Sequence, residues 1–332
     1  MTSLARIGFL GAGAVAHDHA ACAVAIGARV VAAVASCEGS KSFKAFASMY
    51  PEVRYVADAK TLANAEDIDA IVVCLPWNIQ EKWLDWALTC NKPVLIEKPV
   101  ALSEEYLSKR LAQGHLLSHT KLVGYNRRFY ETVRRLRERL ALGGLRAVDI
   151  TISEDLAGLV RRRGFDCLDY ALENSSCHII DTAISLFGDL RVVHMARFQV
   201  PYAGNFFNCY NGMLETPEKV PVGFFANSDD PAKVGIRCKF ADGTFWCLTP
   251  TEILSVFQGY DIVERTAECQ VRQYEPKLIQ KFVENSDKRP GFQAQMAAFL
   301  SGRIGPGCSL LEALKTLRLI SSIKTQSRGN LI

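Results

Sequence analysis

Three things are scarce in this sequence: an excess of one charge, paired cysteine motifs and long apolar runs. Lys and Arg number 39 against 35 Asp and Glu, a net charge of +4 over 332 residues. That balance excludes the basic stripe on which nucleic-acid binding depends. Arg161-Arg162-Arg163 is the only dense basic run. It reads as a solvated loop, with steering of an anionic substrate as the alternative. The eleven cysteines, an odd number, contain no C-x-x-C spacing, which argues against a disulfide framework and against a metal site. Cys22, Cys74 and Cys90 sit in apolar segments and read as small core side chains. No apolar run reaches the roughly 18 to 20 residues of a membrane span. No charged and then apolar leader pattern follows Met1. The expectation is a cytoplasmic chain with reduced thiols and no membrane partner. Repeats and low-complexity tracts are missing as well.

What is present is hydrophobic content, 49% of the chain, at a length that suggests two domains. Residues 4–10, 29–35, 54–56, 68–75, 93–96 and 121–125 read as strands. Residues 15–26, 40–50, 77–90 and 103–113 read as helices between them. Uninterrupted apolar runs such as Ile71-Val72-Val73 suit strands buried on both faces of a parallel sheet. Strand–helix alternation predicts a doubly wound Rossmann domain over 1–122. Over 123–332 the pattern changes. Helices are expected at 130–141, 173–187, 291–300 and 310–324. Strands are expected at 145–154, 192–200, 220–227, 234–240 and 244–249. Ala241-Asp242-Gly243 is a hairpin signal between the last two. Residues 155–169 and 201–219 read as loops. This predicts an α+β domain with an open, mostly antiparallel sheet.

The first strand runs into Gly11-Ala12-Gly13-Ala14-Val15-Ala16, a G-x-G-x-x-A turn opening an apolar helix. In that setting Gly11 permits the tight turn, Gly13 lets backbone approach a pyrophosphate, and Ala16 allows close helix–strand packing. The helix N-terminus then faces the phosphates. The second strand ends Val34-Ala35-Ser36 and lacks the acid that binds the ribose hydroxyls of NAD. Ser36, with Lys41 downstream, suits a 2′-phosphate, so NADP is favoured and NAD stays possible. The competing reading of Lys41 is a solvated first-turn residue. A third feature is Glu97-Lys98-Pro99, at the end of an apolar strand, where ligands of such sheets bind. A lysine there is partly desolvated, which brings its pKa toward the range of acid–base chemistry.

These pieces resemble the Gfo/Idh/MocA family, the glucose–fructose oxidoreductase and inositol dehydrogenase group. The matching motifs are residues 7–16, Asp69-Ala70-Ile71-Val72-Val73-Cys74-Leu75-Pro76, Glu97-Lys98-Pro99, Gly124-Tyr125-Asn126-Arg127-Arg128-Phe129 and His178-Ile179-Ile180-Asp181, in the family's order. The resemblance implies an NAD(P)-dependent oxidoreductase acting on a sugar, nucleotide-sugar or cyclitol. It implies Lys98 beside the nicotinamide as acid or base. It also implies homodimers or homotetramers formed through the C-terminal sheet. The family's D-x-x-x-H-x-x-D helix corresponds to Asn174, His178 and Asp181, which at helical spacing share one face. His178 is the candidate second acid–base group, and Asp181 orients it or serves structure only. Asn174 departs from the family acid, and Gln80 stands where many relatives carry His. The expected cofactor contacts are Gly11, Ala12, Gly13, Ala14, Val15, Ser36, Lys41, Cys74, Leu75, Pro76, Asn78, Gln80, Glu97, Lys98 and Arg128. A structural ion pair is the competing reading of Arg128. The alternative function is a non-catalytic dinucleotide-binding regulator or scaffold of the same fold.

Overall fold

The computed structural model describes residues 4–113, 120–228, 233–268 and 270–329. It begins with β1 (Arg6–Leu10), α1 (Ala14–Ala25), β2 (Arg29–Val34), α2 (Lys41–Met49), β3 (Arg54–Val56) and α3 (Ala59–Asn64). Then come β4 (Ala70–Val73), α4 (Trp77–Gln80), α5 (Leu84–Thr89), β5 (Val94–Ile96), α6 (Glu104–Ala112) and β6 (Lys121–Val123). Next are α7 (Glu131–Ala141), β7 (Leu145–Glu154), α8 (Leu156–Arg163) and, after a π-helical turn at Leu172–Ser176, α9 (Cys177–Phe187). Six strands follow: β8 (Arg191–Tyr202), β9 (Asn205–Glu215), β10 (Pro221–Ser228), β11 (Gly235–Phe240), β12 (Thr244–Leu248) and β13 (Ile253–Val263). The chain closes with β14 (Gln273–Val283), α10 (Phe292–Ser301), β15 (Cys308–Ser309), α11 (Leu310–Gln326) and β16 (Arg328–Gly329). No helix among the described residues is long and apolar enough to cross a membrane.

Two compact units result. The first holds residues 1–129 and 286–318, the second 130–285 and 319–332. The single cut expected near residue 122 is therefore replaced by a boundary after Phe129 and a return of the chain. The return is driven by packing: Phe292, Met296 and Phe299 of α10 are buried in the core that also holds Ile7, Phe9, Ala16 and Ala20.

In the first unit the sheet order is β15-β6-β5-β4-β1-β2-β3. All neighbours are parallel except β15, which runs antiparallel to β6. The helices start where short polar side chains take the first amide protons. Ser40 Oγ accepts from Phe43 N, Asp58 from Thr61 N, and Ser103 Oγ from Tyr106 N. The β4 run Ala-Ile-Val-Val is buried at every position, as a strand covered on both faces must be.

The second unit is built on a sheet of order β14-β13-β12-β11-β7-β10-β9-β8-β16. It is antiparallel except for the pairs β10–β7 and β16–β8. The two segments read as loops hold regular structure: α8 lies within 155–169 and β9 within 201–219. The last two long strands, β13 and β14, add to the expected set. The helix expected over 77–90 is broken at Glu81–Trp83, and the start of the one expected over 173–187 is a π turn.

Candidate active site

Parallel pairing in the first unit brings several turns to one edge. Leu10 pairs with Val34 and Val73, Val73 with Ile96, and Ile96 with Val123. The turns that follow those strands start with Gly11, Ala35, Cys74, Glu97 and Gly124, at the carboxyl end of the sheet. Strand order reverses between β1 and β4, which makes this the switch-point crevice of a doubly wound sheet.

Gly11 makes the tight turn expected of it. Gly11 has φ +106°, and its N–H donates to Val34 O at 3.0 Å. A Cβ there would stand 2.2 Å from Cys74 O, so only glycine lets the turn pass beside β4. Gly13 is different. It caps α1 in an extended conformation, and a Cβ on it would meet nothing within 4 Å. No side chain caps α1, and its first turn carries no acid. The first amides of a helix have no carbonyl of their own helix to bind, and they favour an anion. Ala12 and Ala16 are buried, Val15 is half-buried, and Gly13 and Ala14 are exposed. These residues fit a pyrophosphate over open space. Ser36 and Lys41 are both exposed, after β2 and at the first position of α2.

The neighbouring turns are held from within. Leu75 N donates to Gln80 Oε1 at 3.3 Å, and Gln80 Nε2 donates to Pro99 O at 3.3 Å. Gln80 is buried, so its amide ties the turn after β4 to the turn after β5. Gln80 was expected to contact a cofactor; in the structure one amide N–H and the amide oxygen bridge two backbone groups of these turns. Pro76 and Asn78 are exposed at the mouth of the same turn, and Leu75 is half-buried. Cys74 is buried; burial first, and then the nearby Glu97 charge, push its thiol well above the usual range. Both effects disfavour the thiolate, the nucleophilic form.

Glu97 N donates to Val73 O at 2.9 Å, and Lys98 is half-buried, joined to Pro99 by a cis peptide. The carboxylate of Glu97 is engaged by His19, whose Nε2 lies 2.7 Å from Oε1. His19 is the partner that sequence reasoning assigned no role. Its signal was its place eight residues after Gly11, on the buried face of α1.

Arg128, also expected among the cofactor contacts, is held in an ion pair. It is 2% exposed, and its Nη1 donates to Glu312 Oε1 at 2.7 Å and to Gly307 O at 3.4 Å. The competing ion-pair reading is the observed one. Asn126 also ties to the returning segment, with Nδ2 donating to Pro290 O at 2.9 Å.

In the second unit, the helix expected to carry Asn174, His178 and Asp181 is regular only from Cys177 onward. Asn174 lies in the π turn, whose wider winding breaks the four-residue spacing to His178. Asn174 and Asp181 are both 0% exposed, and only His178 is half-buried. Around the turn, Ser175 Oγ and Ser176 Oγ donate to the two oxygens of Glu154 at 2.8 and 2.9 Å. Arg163 Nη1 donates to Asn174 O at 3.3 Å, and burial lowers the pKa of that guanidinium.

A profile of the family described as "Oxidoreductase family, NAD-binding Rossmann fold" (GFO_IDH_MocA) matches residues 5–113. An inositol 2-dehydrogenase from Burkholderia multivorans is 30% identical over 264 residues, 70% of this chain and 76% of that protein. An inositol 2-dehydrogenase from Acidothermus cellulolyticus is 32% identical over 146 residues, 42% of this chain; the chain spans 41% of its length. The fold is shared with KijD10, a 3-ketoreductase from Actinomadura kijaniata solved with NADP and TDP-benzene. That likeness has a TM-score of 0.70 at 18% identity and covers 99% of this chain and 100% of that one. With a Burkholderia relative matched over three quarters of its length and the Rossmann unit described above, the chain belongs to the Gfo/Idh/MocA oxidoreductase family.

Proposed function

We propose that this protein is an NAD(P)-dependent dehydrogenase or reductase acting on a CH–OH or carbonyl group of a sugar, nucleotide-sugar or cyclitol. The observation that carries the reading is the placement of Glu97-Lys98-Pro99 at the carboxyl edge of the sheet that also bears the open Gly13 turn. Relatives named as inositol dehydrogenases and a 3-ketoreductase support the substrate class. A nicotinamide dinucleotide supplies or accepts the hydride when bound.

The chain's own residues do the rest. Gly11 to Val15 hold the pyrophosphate through backbone amides and the dipole of α1. Ser36 donates a hydrogen bond and Lys41 supplies charge to a 2′-phosphate, which favours NADP over NAD. Lys98 protonates the substrate oxygen in the reductive direction and takes that proton back in the oxidative one. His178 is the second acid–base candidate, the member of its trio with exposure. The open face of the second unit's sheet carries exposed Met213 and Phe225 beside buried Leu214 and Phe224. That alternation supports a second copy as its cover.

The test is Lys98→Met, assayed on a panel of sugars, nucleotide-sugars and cyclitols with both nucleotides. Turnover is expected to fall by about 100-fold or more, with nucleotide affinity kept. Turnover within a few-fold of wild type sinks the role of Lys98. Tight nucleotide binding with no turnover across the panel favours a dinucleotide-binding regulator instead. Binding of NADH equal to or tighter than NADPH counts against the assignment of Ser36 and Lys41.

A further inference from the structure

His19 sits in the middle of α1 with its ring fully buried, tilted against Phe292 at 4.6 Å between ring centres. Nε2 meets Glu97 Oε1 at 2.7 Å. The other oxygen, Glu97 Oε2, accepts the backbone N–H of Lys98 at 3.1 Å. One carboxylate therefore links the helix that carries the glycine turn to the first atom of residue 98. Its place is cut to shape: a Cβ on Gly124 would stand 2.8 Å from Glu97 Oε1 and 3.1 Å from Glu97 Cα. Before Gly124, Val123 O accepts from Nε2 of Gln295, also fully buried, at 3.5 Å.

Such a pair is not the cheapest filling for a core. Apolar side chains of the same volume are often equal or better for stability, because burying two polar groups costs their hydration. An apolar pair, however, would leave the Lys98 N–H without its acceptor and the turn without a fixed direction. Neither member is exposed enough to meet a substrate: His19 is 0% exposed and Glu97 8%. What they determine is the aim of the residue beside them.

We propose that His19 is a positioning residue for Lys98, acting through Glu97 to fix the direction in which the turn presents the lysine amine. The inference rests on the acid–base reading of Lys98. The pair acts by hydrogen-bond geometry, so a side chain that can donate to Oε1 without ionising serves in place of the imidazole.

The experiment compares wild type, His19→Gln and His19→Leu with two readouts. The first is competitive acylation of Lys98 in protein without nucleotide, read by peptide mass spectrometry against the exposed Lys60. His19→Leu frees the turn, and Lys98 is expected to acylate about threefold faster, while His19→Gln stays near wild type. The second readout is kinetics on the best panel substrate. The kcat of His19→Leu is expected to fall about tenfold with the nucleotide KM little changed, and His19→Gln to keep most of the rate. Wild-type labelling of Lys98 in His19→Leu overturns the proposal. So does a His19→Gln variant as impaired as His19→Leu, or a loss confined to nucleotide KM. If His19→Leu gives no cooperative melt, Glu97→Gln, of equal size, takes its place in the labelling, with the same expected rise and the same overturning result. A turnover-competent Lys98→Met would refute the acid–base role alone, since labelling requires no turnover.

Discussion

Arg128 Nη1 lies 2.7 Å from Glu312 Oε1, joining a residue just after the last parallel strand of the first unit to the start of α11. The guanidinium is buried and also reaches Gly307 O at 3.4 Å. Replacing it with leucine leaves Gly307 O short of a donor and the partly exposed Glu312 carboxylate without its cation. Arg128→Leu is expected to lose about 2–3 kcal/mol of stability, read by denaturant melts. The folded fraction is expected to bind NADPH as wild type does. A fall in nucleotide affinity of about tenfold or more would return Arg128 to the cofactor contacts.

The same pair has a pH signature. Burial alone would raise the Glu312 carboxyl, but the Ser309 amide and the Arg128 guanidinium hold it below the usual carboxylate range. A carboxyl with a lowered folded pKa contributes stability above its unfolded pKa, and that contribution fades as pH falls through the folded value. The stability gap between wild type and Glu312→Gln is therefore expected at neutral pH and to shrink on the acid side, below about pH 4. Melting curves from pH 7 to pH 3 check this; a gap constant across that range refutes it.

Two glycines of one turn are expected to fail in opposite ways. Gly11 is held at φ +106° with Cys74 O where a Cβ would go. Gly11→Ala is expected to cost about 1–3 kcal/mol from backbone strain alone, with the clash added. Gly13 faces open space at the start of α1. Gly13→Asp puts a carboxylate where a phosphate is proposed to sit. It is expected to keep its melting temperature within about 2 °C while nucleotide affinity drops about tenfold or more. Titration of both variants with NADPH, beside thermal melts, separates the two roles.

That difference also marks how far the sequence could be read. Gly11 and Gly13 were legible because an apolar strand and a helix frame them, so the βαβ unit follows from local pattern. The position of Lys98 was legible for the same reason, at the end of Val94-Leu95-Ile96. The return of residues 286–318 was not, because it depends on Phe292 and Phe299 meeting a core formed some 280 residues earlier. The ties made by Gln80 were not legible because its partners, Leu75 N and Pro99 O, are backbone groups without a sequence signature. Strand β14 was missed because ten of its eleven residues are exposed, so no buried face alternates with a polar one. The π turn at Leu172–Ser176 escaped because helical spacing assumes a regular winding.

Cofactor choice is the next test. Ser36 follows β2 where an acid would engage ribose hydroxyls, and Lys41 opens α2. Ser36→Asp places a carboxylate beside the proposed 2′-phosphate and an acceptor beside a bare ribose. The ratio of NADPH to NADH affinity is expected to fall about tenfold or more, with weaker NADPH binding and stronger NADH binding. Lys41→Ala is expected to weaken NADPH alone. Fluorescence titration of both nucleotides decides, and equal losses for the two would remove the 2′-phosphate assignment.

Asn174 stands where relatives are expected to carry an acid, which makes Asn174→Asp the natural restoration. The structure argues against a gain. The side chain is fully buried in the π turn, and a carboxyl there is pushed toward its neutral form by lost hydration. The backbone carbonyl of Asn174 receives Arg163 Nη1 at 3.3 Å, and burial lowers the pKa of that guanidinium. A raised folded pKa makes the sign definite: the penalty is small below the unfolded carboxyl pKa and grows as pH rises past it. Asn174→Asp is thus expected to match wild type near pH 4 and to be about 1–3 kcal/mol less stable at pH 7, with no rise in turnover. A variant as stable as wild type at pH 7, or faster than it, would mean that Arg163 or another cation compensates the new charge, and would restore residue 174 to the catalytic trio.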